Sequence, residues 1–539
     1  MESIKKTNVN SVKSSEEINT ESVANGFYEK VGNGNVDIYL RETTADGLRK
    51  SMQEMRENVL GQVNDRINDM IAEVLQGIET SLSKREPFNK DKYRDKRQSN
   101  KEGALPDKEF LARNSLLDDL FKITDIRTVY NLFMVTLILF FFSTVASDIM
   151  DGGSLLIGTM TIRKAFAKFP TCLYIWALMQ ISTISIYIPF NLWAYQRLQF
   201  SPKSSIRKFW DYSFLTIFIM YVVYFIHFPV TAMLREDLGT ASCLALLLEQ
   251  VRQMMKSYAF VRSVAPRFIS YKPHSDVPQP NGPGFSQYLY FLFAPTLIYR
   301  DKYPRNEQIR WMVVMKNFVE VGLVIFYLAF VIERLVGPNF EMFGKQPVES
   351  KWVVKRSIEA TIPGILFFIS GNYLLLHSWL NAWAEMLQFA DRMFYKDWWN
   401  STSYRMYYRT WNVVVHDWLY TYIYKDMYEI VMPRSKPMAT LVVFLVSATF
   451  HEYILAFGFG FFYPVMFILF AGFGFCFFFI GSIASSNTFI WLSFCIGNGI
   501  MFSTYSMEYY ARRHCSPYFN YYLDLLVPRS WVCQAQFAS

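Results

Sequence analysis

From Thr128 to Ser147 the chain carries no charged side chain, and apolar segments of similar length follow at about 170–193, 210–235, 310–334, 356–383, 438–459, 461–481 and 488–510. Each is close to the roughly 20 residues that a helix needs to cross the hydrocarbon core of a bilayer. A weaker segment at 238–262 carries Glu249, Arg252 and Lys256. In lipid each backbone N–H and C=O must be satisfied internally, which a run of this length achieves as a helix. The predicted fold is therefore all-α: a polytopic membrane bundle of about nine transmembrane helices, preceded by a polar N-terminal region. Only 19% of residues are charged and 52% are hydrophobic, against roughly 25% charged in soluble domains.

The net charge of +8 would fit a nucleic-acid partner only if the basic residues clustered. They are spread instead through the N-terminal region and short loops, so none is expected. Orientation by the positive-inside rule explains the distribution better. The opening residues MESIKKTNVN contain no apolar signal-peptide core, so the N-terminus is expected to remain cytoplasmic. With nine spans the C-terminus is lumenal. The loop with Arg197, Lys203, Arg207 and Lys208 and the long loops at 263–307 and 384–436 then all face the cytoplasm.

Residues 1–45 hold few large apolar side chains and are expected to be a disordered cytoplasmic tail. Over 46–83, Leu48, Met52, Met55, Val59, Val63, Ile67 and Met70 recur at steps of three and four, the pattern of an amphipathic helix. A long helix outside a core usually covers such a stripe with copies of itself, so this one is predicted to form a homo-oligomer, dimer or tetramer. Residues 84–107 form a charged linker, and 108–539 the membrane domain. Cys172, Cys243, Cys476 and Cys495 lie in apolar segments and read as small hydrophobes. Cys515 and Cys533 flank the polar tail, where a lumenal location would allow a disulfide.

The stretch Phe394–Trp418, FYKDWWNSTSYRMYYRTWNVVVHDW, combines aromatic rings, charges and a histidine beside the spans. On a continuous helix Arg409, Asn412 and His416 would share one face. His451 sits inside an apolar span, where an ionisable side chain is costly and is a functional candidate by default. Ser447 is one turn earlier on the same face. An imidazole can take a proton from a hydroxyl, and an Asn N–H can serve negative charge developing on a carbonyl oxygen during acyl transfer. No phosphate-binding glycine loop, zinc-ligand spacing or Gly-x-Ser-x-Gly elbow is present. The reading therefore uses no metal.

FYKDWWN at 394–400, WNVVVHDW at 411–418 and His451 in the next span resemble the membrane-bound O-acyltransferases, in the branch holding sterol O-acyltransferases and one class of diacylglycerol acyltransferases. QYLYFLFAPTLIYRDKYPR at 287–305, HSWLNAWAEMLQFADRMFYKDWWNSTS at 377–403 and SFCIGNGIMFSTYSMEYYARRHC at 493–515 resemble the sterol enzymes in particular. The resemblance implies an endoplasmic reticulum enzyme that esterifies cholesterol or a related sterol with a long-chain acyl group from acyl-CoA, a co-substrate and not a bound cofactor. It assigns catalysis to His451, Asn412 and His416, and acyl-CoA contacts to Arg409, Asn412, His416, Tyr424, Lys436 and Ser447. Phe394, Tyr395, Asp397, Trp398, Trp399 and Asn400 carry the motif, with Asp397 expected to fix the loop by hydrogen bonds. The resemblance also implies a Cys515–Cys533 disulfide. Met406 and Asn131 depart from it, standing where the sterol enzymes have an asparagine and a histidine. The alternatives are a diacylglycerol acyltransferase and a non-catalytic sterol-binding or transport protein.

Overall fold

The computed structural model describes residues 47, 50, 52–53, 56 and 105–533, apart from 153–154, 156, 272–277 and 480–485. The tail, most of the oligomerisation helix and most of the linker predicted from the sequence lie outside the described residues. The described positions between 47 and 56 are helical. The chain divides into two compact units, Met1–Gly103 and Ala104–Ser539, and all elements named below belong to the second.

Among the described residues there is no β-strand, only isolated bridges such as Arg113 with Asp391. The principal helices are α1 (Thr124–Met150), α2 (Phe169–Gln199), α3 (Ser205–Glu236), α4 (Thr240–Ile269), α5 (Trp311–Val331), α6 (Ser350–Met386), α7 (Val413–Leu419), α8 (Lys436–Phe459), α9 (Val465–Phe479) and α10 (Asn487–His514). By length and apolarity, five of these can cross a membrane unaided: α1, α2, α3, α6 and α8. The remaining predicted spans fall on α4, α5, α9 and α10, which are helical but outside that set. The expected all-α membrane bundle is observed, and five of the nine expected spans meet that criterion among the described residues.

Packing explains why α4 is polar for a span. It lies against α2, α3 and α8, so its Gln250, Gln253 and Lys256 are buried in protein. The Lys256 ammonium donates to the carbonyls of Phe291 (2.6 Å), Leu292 (2.9 Å) and Ala294 (2.7 Å). Its three N–H groups close the end of the helix Phe285–Phe293, whose last carbonyls have no intrahelical partner. By contrast α1 has no buried residue and exposes Leu132, Phe133 and Leu139 along its length.

Residues 105–121 strap across the ends of these helices. Arg113 makes a bidentate pair with Asp391 (2.6 and 3.2 Å), Lys108 pairs with Asp417 (2.6 Å), and Asp107 pairs with Lys425. The hydroxyl of Ser115 reaches Tyr395 (3.0 Å) and His377 (3.3 Å). The strap thus ties the FYKDWWN segment and α7 to the bundle.

Candidate active site

The FYKDWWN segment is a packed scaffold. Phe394, Tyr395 and Trp398 are buried, and the Tyr395 hydroxyl lies 2.7 Å from Nδ1 of the buried His377. Asp397 precedes the short 3₁₀ turn Trp398–Asn400 and accepts from the Asn400 N–H through its backbone carbonyl (3.0 Å). The carbonyl of Trp399 accepts from Asn487 (2.7 Å) and Trp491 (3.1 Å) of α10. Asn400 itself is exposed.

The single polar stripe expected for Arg409, Asn412 and His416 does not form. Arg409 lies in the preceding helix, Tyr404–Thr410, and the chain leaves helical geometry at Asn412 (φ −129°, ψ 87°). Asn412 is the N-cap of α7: its Oδ1 accepts from the Val415 N–H at 3.1 Å. An asparagine ahead of an apolar run is favoured there because it satisfies one of the donors that begin a helix. The cap uses Oδ1, which leaves the Nδ2 hydrogens for another acceptor.

Asn412, Ser447 and His451 line one cavity of about 1920 Å³, with Trp411, Val415 and Phe450 among its apolar walls. A pocket for one drug-sized ligand holds roughly 300–1,000 Å³, so this space exceeds what one such ligand fills. Nδ1 of His451 lies 2.7 Å from the backbone carbonyl of Ser447. A carbonyl only accepts, so Nδ1 carries the proton and Nε2 keeps its lone pair. Neighbouring Glu452 is buried and accepts from the Phe467 N–H (3.0 Å).

The remaining expected contacts stand apart from the cavity wall. His416, Arg409, Tyr424 and Lys436 are not among its lining residues. Nδ1 of His416 lies 3.3 Å from Asp417, which Lys108 holds from the other side. Its ring begins a stacked ladder, His416–Tyr420–Tyr424–Tyr428, with centroid spacings of 6.4, 5.7 and 6.1 Å. Arg409 and Lys436 are exposed. Burial opposes ionisation of Asp417, but the His416 hydrogen bond and the Lys108 charge outweigh it and hold the carboxyl below its usual range. Cys515 and Cys533 form a disulfide with a Cα–Cα distance of 5.7 Å. Sequence reasoning did not find the contacts of His377, whose partners Ser115 and Tyr395 are remote in sequence; a histidine inside an apolar segment was the available signal.

The bundle thus presents an asparagine and a histidine with a fixed tautomer on one large, mostly apolar cavity of a membrane protein. The membrane-bound O-acyltransferase family model matches residues 126–507, and the chain belongs to that family. Its relatives include sterol O-acyltransferase 1 of Mus musculus, 43% identical over 434 residues and 79% of each chain. Sterol O-acyltransferase 1 of Chlorocebus aethiops is 38% identical over 94% of each chain. Sterol O-acyltransferase 2 of Homo sapiens is 36% identical over 93% of this chain and 95% of its own.

Proposed function

We propose that this protein transfers a long-chain acyl group from acyl-CoA to the 3-hydroxyl of a sterol, with His451 as general base. The observation that carries the reading is the 2.7 Å contact of Nδ1 with the Ser447 carbonyl, on the wall of the apolar cavity that Asn412 shares. Nε2 of His451 removes the hydroxyl proton as the sterol oxygen attacks the thioester carbonyl carbon. The C–O bond forms, negative charge gathers on the carbonyl oxygen, and Nδ2 of Asn412 is the donor offered to it. Collapse breaks the C–S bond, and the proton held on Nε2 passes to the departing CoA thiolate. No acyl-enzyme is formed.

The exposed cations Arg409 and Lys436 suit the CoA phosphates, and the ladder bearing His416 and Tyr424 offers flat aromatic surfaces. His416 acts there on the acyl-CoA and not at the reacting centre. The chain resides in the endoplasmic reticulum membrane with a cytoplasmic N-terminus and a lumenal C-terminus, in keeping with a disulfide at Cys515–Cys533. The periodic apolar stripe over 46–83 supports a homo-oligomer.

The test is microsomes expressing the protein, given labelled oleoyl-CoA with and without added cholesterol. Label in steryl ester that rises with cholesterol and disappears in His451→Ala supports the reading. Label in triacylglycerol, or sterol binding without CoA release, overturns it.

A further inference from the structure

A histidine anchored by one hydrogen bond can still swing about that bond, so the Ser447 contact alone does not aim Nε2. Behind His451 lies Phe470 of α9, its ring stacked on the imidazole with centroids 5.2 Å apart and planes at 23°. Phe470 is held in turn by the edge of Tyr408 (5.3 Å, 77°) and by the buried Phe444 (5.6 Å). Tyr408 and Phe444 meet at 4.9 Å and 86°, which closes a triangle of rings. None of the three lines the cavity.

Local backbone and sequence make room for this arrangement. Phe470 falls in Ile468–Gly474, a wide π-helical stretch within α9, and such stretches re-aim side chains relative to a regular helix. The buried Gly474 closes it, and a Cβ added there would collide with the Tyr408 hydroxyl oxygen. Tyr408 follows closely on the FYKDWWN segment, so the clamp joins that scaffold to His451. A second hold comes from Glu452, whose carboxylate takes the Phe467 N–H at the start of α9.

We propose that Phe470, seated by Tyr408 and Gly474, is a positioning residue that fixes the plane of the His451 imidazole. This rests on His451 being the base. The Ser447 carbonyl sets which nitrogen bears the proton, and the Phe470 face sets where the other one points. A ring that drifts off its line forfeits rate and not substrate affinity, because misplacement of a reacting group by about 1 Å costs up to ~100-fold.

The experiment measures kcat and both KM values for purified full-length Phe470→Leu, Phe470→Tyr and Gly474→Ala, with His451→Ala as control and detergent melting curves for each. The expected result is a kcat loss of about tenfold or more in Phe470→Leu with both KM values within about twofold, and recovery in Phe470→Tyr. Gly474→Ala should reproduce the kcat loss although residue 474 touches neither histidine nor cavity. If Phe470→Leu does not fold, Gly474→Ala decides alone. Wild-type kcat in the folded variants, or a rise in KM in place of the kcat loss, overturns the clamp while His451→Ala remains inactive. Activity in His451→Ala would instead overturn the base assignment.

Discussion

Nδ1 of His451 and the carbonyl oxygen of Ser447, one helical turn apart on α8, are 2.7 Å from each other. The contact is made by backbone, so it survives any side chain at 447. Ser447→Ala should therefore keep kcat within about threefold, whereas His451→Ala should lose about 10²- to 10⁴-fold, the usual contribution of a general base. Initial rates of steryl ester formation by folded, purified protein decide this. Equal losses in the two variants would give the Ser447 hydroxyl a role the geometry does not assign.

Asn412 has two separable duties. Its Oδ1 caps α7, and its Nδ2 is the donor for the oxyanion. Asn412→Asp keeps the capping oxygen and removes the donor, so Tm should hold while kcat falls by about 10²- to 10³-fold. Asn412→Ala removes both and should also cost about 1 kcal/mol of stability. Parallel melting curves and turnover measurements separate the effects; an active Asn412→Asp would refute the donor role.

Why some of this could be read in advance is a matter of range. Uninterrupted apolar runs set the spans, because lipid imposes its length on a local segment. His451 stood out because an ionisable group in such a run is costly. Spacing suggested a common face for Asn412 with Arg409 and His416, but that face exists only if the helix is unbroken, and the chain leaves helical geometry at Asn412. The polarity of α4 made it a weak span until Lys256 was seen to close a neighbouring helix through carbonyls 35 or more residues away. Tyr395 and His377 meet through folding, and Phe470 is one of 49 phenylalanines, so neither carries a local mark.

Gly344 lies against the disulfide with φ +82°, where an added Cβ would stand 2.8 Å from Sγ of Cys515 and 3.1 Å from Cβ of His514. A side chain there meets both left-handed backbone strain and overlap, each worth about 1 kcal/mol or more. Gly344→Ala should lower Tm by several degrees and yield less protein with the linked 515–533 peptides in non-reducing mass spectrometry. An unchanged Tm with full linkage would show that this corner relaxes freely.

Asp524 supplies a pH test outside the spans. Arg529 grips it through both carboxylate oxygens, at 2.6 Å each, and this pairing comes first among the effects that hold its carboxyl below the usual range; the Tyr518 N–H and the Arg512 charge add to it against the cost of burial. A carboxyl whose folded pKa is depressed binds fewer protons folded than unfolded. Its contribution is thus complete above the ordinary aspartate value of about 4 and disappears as pH falls through the folded value. Asp524→Asn should melt below the wild type at pH 7, with the gap narrowing once pH drops past about 4. A gap that stays constant down to about pH 3 would mean that the variant loses packing and not the ion pair.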